Sequence, residues 1–159
     1  MNIFYLDRNP YKAAKMLMDV HLRKLLVESA QLLCTHDIIN GKERPLKPTH
    51  RNHPCRVCLS DADNYKWLVT YMRGMLNEYY HRFHKFHAYE SLWNKFYAND
   101  MLDVSKHSEY RSFPQCMPDE WKRDDTVEAY RLYYRWKKFD FSMRNVSTKY
   151  TNREKPEWL

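Results

Sequence analysis

The chain has 159 residues, with 27 Lys and Arg against 20 Asp and Glu, a formal charge of +7 and a pI near 9.2. Gly41 and Gly74 are its two glycines, which excludes a P-loop or a GxGxxG dinucleotide turn and argues against a hairpin-rich all-β fold. No apolar run approaches a membrane helix, and the opening MNIFYLDRNP lacks a basic region followed by an apolar stretch. A cytoplasmic location with no membrane partner is therefore expected, with Cys34, Cys55, Cys58 and Cys116 reduced.

Three periodic stripes predict an all-α single domain, residues 1–159, with two long irregular loops. The first stripe predicts a helix over 10–36, with Asn9 as its cap and Pro10 at its first position. Ala14, Leu17, Met18, Leu22, Leu25, Leu26, Ala30 and Leu33 recur along it at helical spacing. Pro45, Pro48 and Pro54 then punctuate a basic loop carrying Lys42, Arg44, Lys47, Arg51 and Arg56. A second helix is predicted over 61–87, capped by Ser60 or Asp61, with Leu68, Tyr71, Met72, Met75, Tyr79, Phe83 and Phe86 on one stripe. It is read as able to extend, with a bend, to about Phe96. Residues 98–123 read as irregular because of Pro114 and Pro118. The last helix is predicted over 125–140, with Arg131, Arg135, Lys137 and Lys138 on its charged face, and the tail ends near Trp158, an anchor for docking on the body.

Three constellations have the residue types of chemistry. His21 and Glu28 are seven residues apart, so they project from one helix face beside Leu17, Met18 and Leu25. Partial desolvation of a carboxylate there would favour its protonated form and suit general acid–base work; a satisfied pair at the core boundary is the bland alternative. His50, His53, Cys55 and Cys58 have zinc-ligand types, with Cys34 and His36 upstream, but no second C-x-x-C follows and Cys116 stands alone. No obligatory zinc and no cofactor are expected. His81, His84 and His87, among Tyr79, Tyr80, Arg82 and Lys85, read as a solvated basic face that would also suit phosphate contacts.

The segment MLMDVHLRKLLVESAQLLC, residues 16–34, resembles the helix of the phage endonuclease V family, pyrimidine-dimer DNA glycosylases with AP-lyase activity. That helix has His-Leu and then a catalytic Glu seven residues after the His, matched here by His21, Leu22 and Glu28. WLVTYMRGMLNEYYHRFHKFH is similar to the family's second helix, and NREKPEW looks like its late Arg-Pro-x-Trp region. The whole chain also resembles a set of bacteriophage proteins that share this helix and an HPC segment. The resemblance implies an endonuclease-V-like helical fold and a Glu-centred pocket. The family's nucleophile is the α-amine of a processed N-terminal residue. Here Asn2 follows Met1, the N-terminus lies further upstream of His21, and Val27 and Gln31 stand where the family has arginines.

Two functional readings follow. The first is a phage-type DNA-acting protein, a DNA N-glycosylase-like or nucleobase-modifying enzyme of the cytoplasm of the phage host. Glu28 and His21 would be its catalytic residues. Lys42, Arg44, Lys47, Arg51, His53, Arg56, Arg131 and Arg135 would attract double-stranded DNA or a strand with a flipped base. The second is a non-catalytic phage protein that binds and inhibits a host protein, using the same tyrosines and arginines as anchors.

Overall fold

In a computed structural model describing residues 2–105 and 113–159, Asn9 opens the first helix by accepting from the backbone N–H groups of Tyr11 and Lys12. The order among the described residues is α1 (Pro10–Lys15), α2 (Asp19–Ile39), α3 (Pro54–Val57), α4 (Ala62–Phe83), α5 (Glu90–Phe96) and α6 (Thr126–Met143), without a strand. Short 3₁₀ turns lie at Cys58–Ser60 and Asp119–Trp121. The all-α class is therefore as the stripes indicate. No described helix is long and apolar enough to cross a membrane. Asp61 and Asp125 cap α4 and α6 through their side chains. Of the stretch read as irregular, 98–105 and 113–118 carry no helix, and 106–112 fall outside the described residues.

α4 is the spine: α1 and α2 both pack on it, and its Trp67, Leu68, Tyr71, Met72, Met75 and Leu76 are buried. Gly74 lies where α1 crosses, and a Cβ there would sit 3.0 Å from the Ala14 Cβ. The absence of a side chain lets the two helices approach closely.

The helix expected over 10–36 is in fact two. No Gly or Pro separates Lys15 from Asp19, so nothing local demands a break. Tertiary contacts supply it. Arg82 of α4 has a side chain with 0% exposure, and its guanidinium donates to the carbonyls of Lys15 and Leu17, at 3.0 and 2.6 Å. Those carbonyls would otherwise be orphaned acceptors at the end of α1. On the other side of the break, the Met18 N–H donates to the Tyr134 hydroxyl and the Asp19 N–H to the Lys149 carbonyl. Arg82 also pairs with Asp19 at 3.0 Å and Glu78 at 3.2 Å, and Arg153 of the tail pairs with Glu78 at 2.6 Å. Two buried carboxylates thus face two guanidinium groups, which limits the cost of burying charge. Arg82 is consequently not part of a solvated basic face. α4 also stops earlier than expected, at Phe83, with His84 in the left-handed region (φ 52°) as its C-cap. The chain then restarts as the separate helix α5, and Phe86 is left 70% exposed.

The N-terminal segment is a core element that the stripes do not reveal. Ile3, Phe4, Tyr5 and Leu6 are all buried. Arg131 donates to the Leu6 carbonyl at 2.8 Å, and the Trp67 indole donates to the Arg8 carbonyl at 2.8 Å. Trp158 does dock: its carbonyl accepts from Arg135, and its ring lies 5.2 Å from the Arg131 guanidinium.

Replacing Arg82 by Met should destabilise the protein by about 3–5 kcal/mol, because Asp19 loses its buried cation and two carbonyls lose their donors. Urea unfolding of the two forms measures this. A difference below about 1 kcal/mol would deny Arg82 its place as the clamp of the helix break.

Candidate functional site: the Glu28 cavity

His21, Lys24, Leu25 and Glu28 occupy successive turns of one face of α2, and that face forms the floor of a cavity of about 360 Å³. α6 supplies the opposite wall through Tyr133, Lys137 and Phe141, with Arg144 at its C-cap. Asn2 and Phe4 enter from the N-terminal segment and Cys116 from the loop before α6.

Glu28 has a side chain with 15% exposure, between a buried core position and an open surface. Its Oε1 is 3.6 Å from the Lys24 Nζ, and its Oε2 accepts from the Asn2 backbone nitrogen at 3.3 Å. Although Asn2 lies far upstream of Glu28 in sequence, residues 2–6 bring its backbone nitrogen back onto the carboxylate. Asn2 is held there by its own side chain, which donates to the Cys116 carbonyl at 2.9 Å and accepts from the Phe4 N–H at 3.3 Å. Phe4 turns the chain with a positive φ of 50°, a conformation that costs a non-glycine residue free energy unless packing enforces it. The packing is visible: its ring lies 4.8 Å from His21 and 5.0 Å from Tyr134, and is stacked on Tyr133 at 6.1 Å.

His21 is buried, and its Nδ1 shares a hydrogen bond of 2.9 Å with the Tyr134 hydroxyl. Burial, reinforced by the nearby charges of Lys24 and Lys137, lowers its pKa to about 3. It is a neutral imidazole at physiological pH. Among the described residues no hydrogen bond joins it to Glu28. Three aromatic rings (Phe4, Tyr133 and Phe141) line the cavity, and Tyr133 continues into a stack with Trp136 at 5.6 Å. Lys24, Lys137 and Arg144 outnumber the single carboxylate of the lining, although Asp140 lies 3.9 Å from Lys137 and 3.5 Å from Arg144.

The other residues read from sequence lie elsewhere. None of the loop cations Lys42, Arg44, Lys47, Arg51 and Arg56 lines the cavity. Arg44 is ion-paired with Asp37 at 2.7 Å and lies over Phe96 and Tyr97, and Lys42 is 3.5 Å from the same carboxylate. Arg56 donates to the Arg51 carbonyl. Lys47 and Arg51 are exposed. His53 caps α3 by accepting from the Cys55 N–H at 3.1 Å. Arg131 pairs with Asp7 at 3.3 Å and, with Arg135, lines a larger groove whose acids are Asp7, Asp125 and Glu128. Lys24 is legible in the sequence, being on the same face as both His21 and Glu28. Lys137, Arg144 and Asn2 are not, because only the fold brings them to α2. No protein-family model, curated protein or solved structure matches the chain.

A histidine kept neutral by folding makes stability depend on pH. The unfolded imidazole takes up a proton below about pH 6.5, while the folded one does so only near pH 3, so stability falls as pH falls through that window. The slope is about 1.4 kcal/mol per pH unit in the middle of the window. Between pH 7 and 5 the wild type should therefore lose about 2 kcal/mol more than His21→Leu, measured by denaturant unfolding. Equal losses would mean that His21 titrates normally.

Proposed function

We propose that the chain is a DNA N-glycosylase-like enzyme, with the Glu28 cavity as its active site. The observation that carries this reading is the 3.3 Å contact between the Asn2 backbone nitrogen and the Glu28 carboxylate, in a cavity with aromatic walls and cations. A flipped nucleotide would stack against Tyr133, while Lys24, Lys137 and Arg144 hold its flanking phosphates. The bond from C1′ to the base breaks with its electron pair leaving on the base. Glu28 stabilises the positive charge that develops on the sugar and takes the proton of the attacking nucleophile. With Met1 in place the nucleophile is water. Where Met1 is removed, the Asn2 nitrogen becomes an α-amine adjacent to Glu28, the arrangement that the resemblance to endonuclease V implies. His21, being neutral, positions Phe4 and the floor of the cavity and carries no charge to the substrate.

Duplex oligonucleotides carrying a pyrimidine dimer, an abasic site or modified pyrimidines test this directly. Glu28→Gln should lower turnover at least about 100-fold while leaving DNA affinity within about twofold. Charge reversal at Lys137 and Arg144 should weaken binding more than reversal at Lys47 and Arg51. It should also reduce the slope of log affinity against log salt by about 0.9 for each phosphate that is no longer neutralised. Absence of any DNA complex at low salt would overturn the reading and favour the host-protein inhibitor. Mass spectrometry of the N-terminus and borohydride trapping on an abasic site separate the water and amine forms of the mechanism.

A further inference from the structure

Cys116 stands alone in sequence, yet folding brings it to the HPC segment. Its Sγ is 3.5 Å from that of Cys55, and one ligand atom each from His53, Cys55 and Cys116 lie within 4.8 Å of one another. Two thiolates on a tetrahedral zinc, each about 2.3 Å from the metal, stand about 3.8 Å apart. The sulfurs are therefore near zinc spacing and well beyond the roughly 2.05 Å of a disulfide. We propose that His53, Cys55 and Cys116 form a Cys₂His binding site for a borderline-soft divalent cation, zinc above all.

The chemistry of the donors fits. Two sulfurs and an imidazole nitrogen select zinc over magnesium or calcium, which take oxygen ligands. His53 is held beside the two sulfurs by its own cap, its Nδ1 accepting from the Cys55 N–H at 3.1 Å. Cys58 lies outside the set, its thiol donating to the Cys55 carbonyl at 3.3 Å. The fourth position is left for water.

The site joins two segments distant in sequence, α3 with its cap and the loop that precedes α6. The Cys116 carbonyl is the acceptor for the Asn2 side chain at 2.9 Å. A cation there would therefore clamp the residue that meets Glu28. The assignment is independent of the glycosylase reading, because Glu28→Gln touches none of the three ligands and should bind metal like the wild type.

Cobalt(II) added to the reduced, metal-stripped full chain is the probe. One equivalent should produce thiolate-to-cobalt charge-transfer absorption, with displacement by zinc. Cys116→Ser and Cys55→Ser should lose that absorption and bind cobalt at least about 100-fold more weakly, and Cys34→Ser should match the wild type. In the wild type, zinc should slow alkylation of Cys116 at least about tenfold, a readout that needs no variant to fold. The proposal is overturned if the folded, reduced chain gives no thiolate band. It is equally overturned if the band persists in folded Cys116→Ser, or if zinc leaves Cys116 alkylation unchanged.

Discussion

The buried guanidinium of Arg82 is the interaction on which the rest of the architecture depends. It takes the two carbonyls released where α1 ends, and it holds Asp19 at the start of α2. Because α2 restarts there, the azimuth of His21, Lys24 and Glu28 is set from that point. The same cluster reaches the C-terminal tail through Glu78 to Arg153 and through Asp19 to Thr151, whose hydroxyl donates at 2.6 Å. One charge-balanced cluster thereby connects α2, α4 and the tail. An apolar residue at position 82 could fill the volume but could not supply directed donors to two carbonyls and two carboxylates at once.

The second constraint is the N-terminal segment. Its side chains fill the core, yet its backbone belongs to no helix or sheet, so its polar groups need individual partners. Arg131, Tyr71 and the Asn2 side chain provide some of these, the Tyr71 hydroxyl donating to the Phe4 carbonyl at 3.5 Å. The positive φ of Phe4 sets the direction in which the chain leaves the core, toward Glu28. A backbone held in a costly conformation next to a half-buried carboxylate is the pattern expected where packing is used to place one atom accurately.

The starts of α1, α4 and α6 are legible in the sequence because capping is local. Asn9, Asp61 and Asp125 each carry a short acceptor one residue before a periodic stripe, and each accepts from the first turn. The break at 16–18 is not legible, since Leu17 and Met18 continue the apolar stripe without interruption and the cause lies more than sixty residues away in Arg82. The end of α4 is hidden for a related reason: His84 adopts the left-handed cap that glycine usually signals. Of the site, the face of α2 can be read from the spacing of His21, Lys24 and Glu28. The wall from α6 cannot, because Lys137 belongs to a run of cations whose members point in different directions. Charge counting is least informative of all. Arg44 and Arg131 look like solvent cations in sequence, but each has a carboxylate partner and an aromatic surface to lie on.

The electrostatics of the cavity follow from which groups are free to exchange a proton. His21 is excluded by burial and by the cations of Lys24 and Lys137, which oppose a second positive charge. Tyr133 has its pKa raised by burial and by Asp140. Glu28 is then the one carboxylate lining the cavity, held between an ammonium group and a backbone N–H donor. A substrate with anionic flanks would meet Lys24, Lys137 and Arg144 first, and the ion pair between Lys24 and Glu28 would be shared with the incoming phosphate. On the proposed glycosylase reading, that competition would weaken the hold of Lys24 on the carboxylate as substrate enters. Glu28 would then face its positive partner in the substrate, where charge develops during bond cleavage, and no longer within the protein.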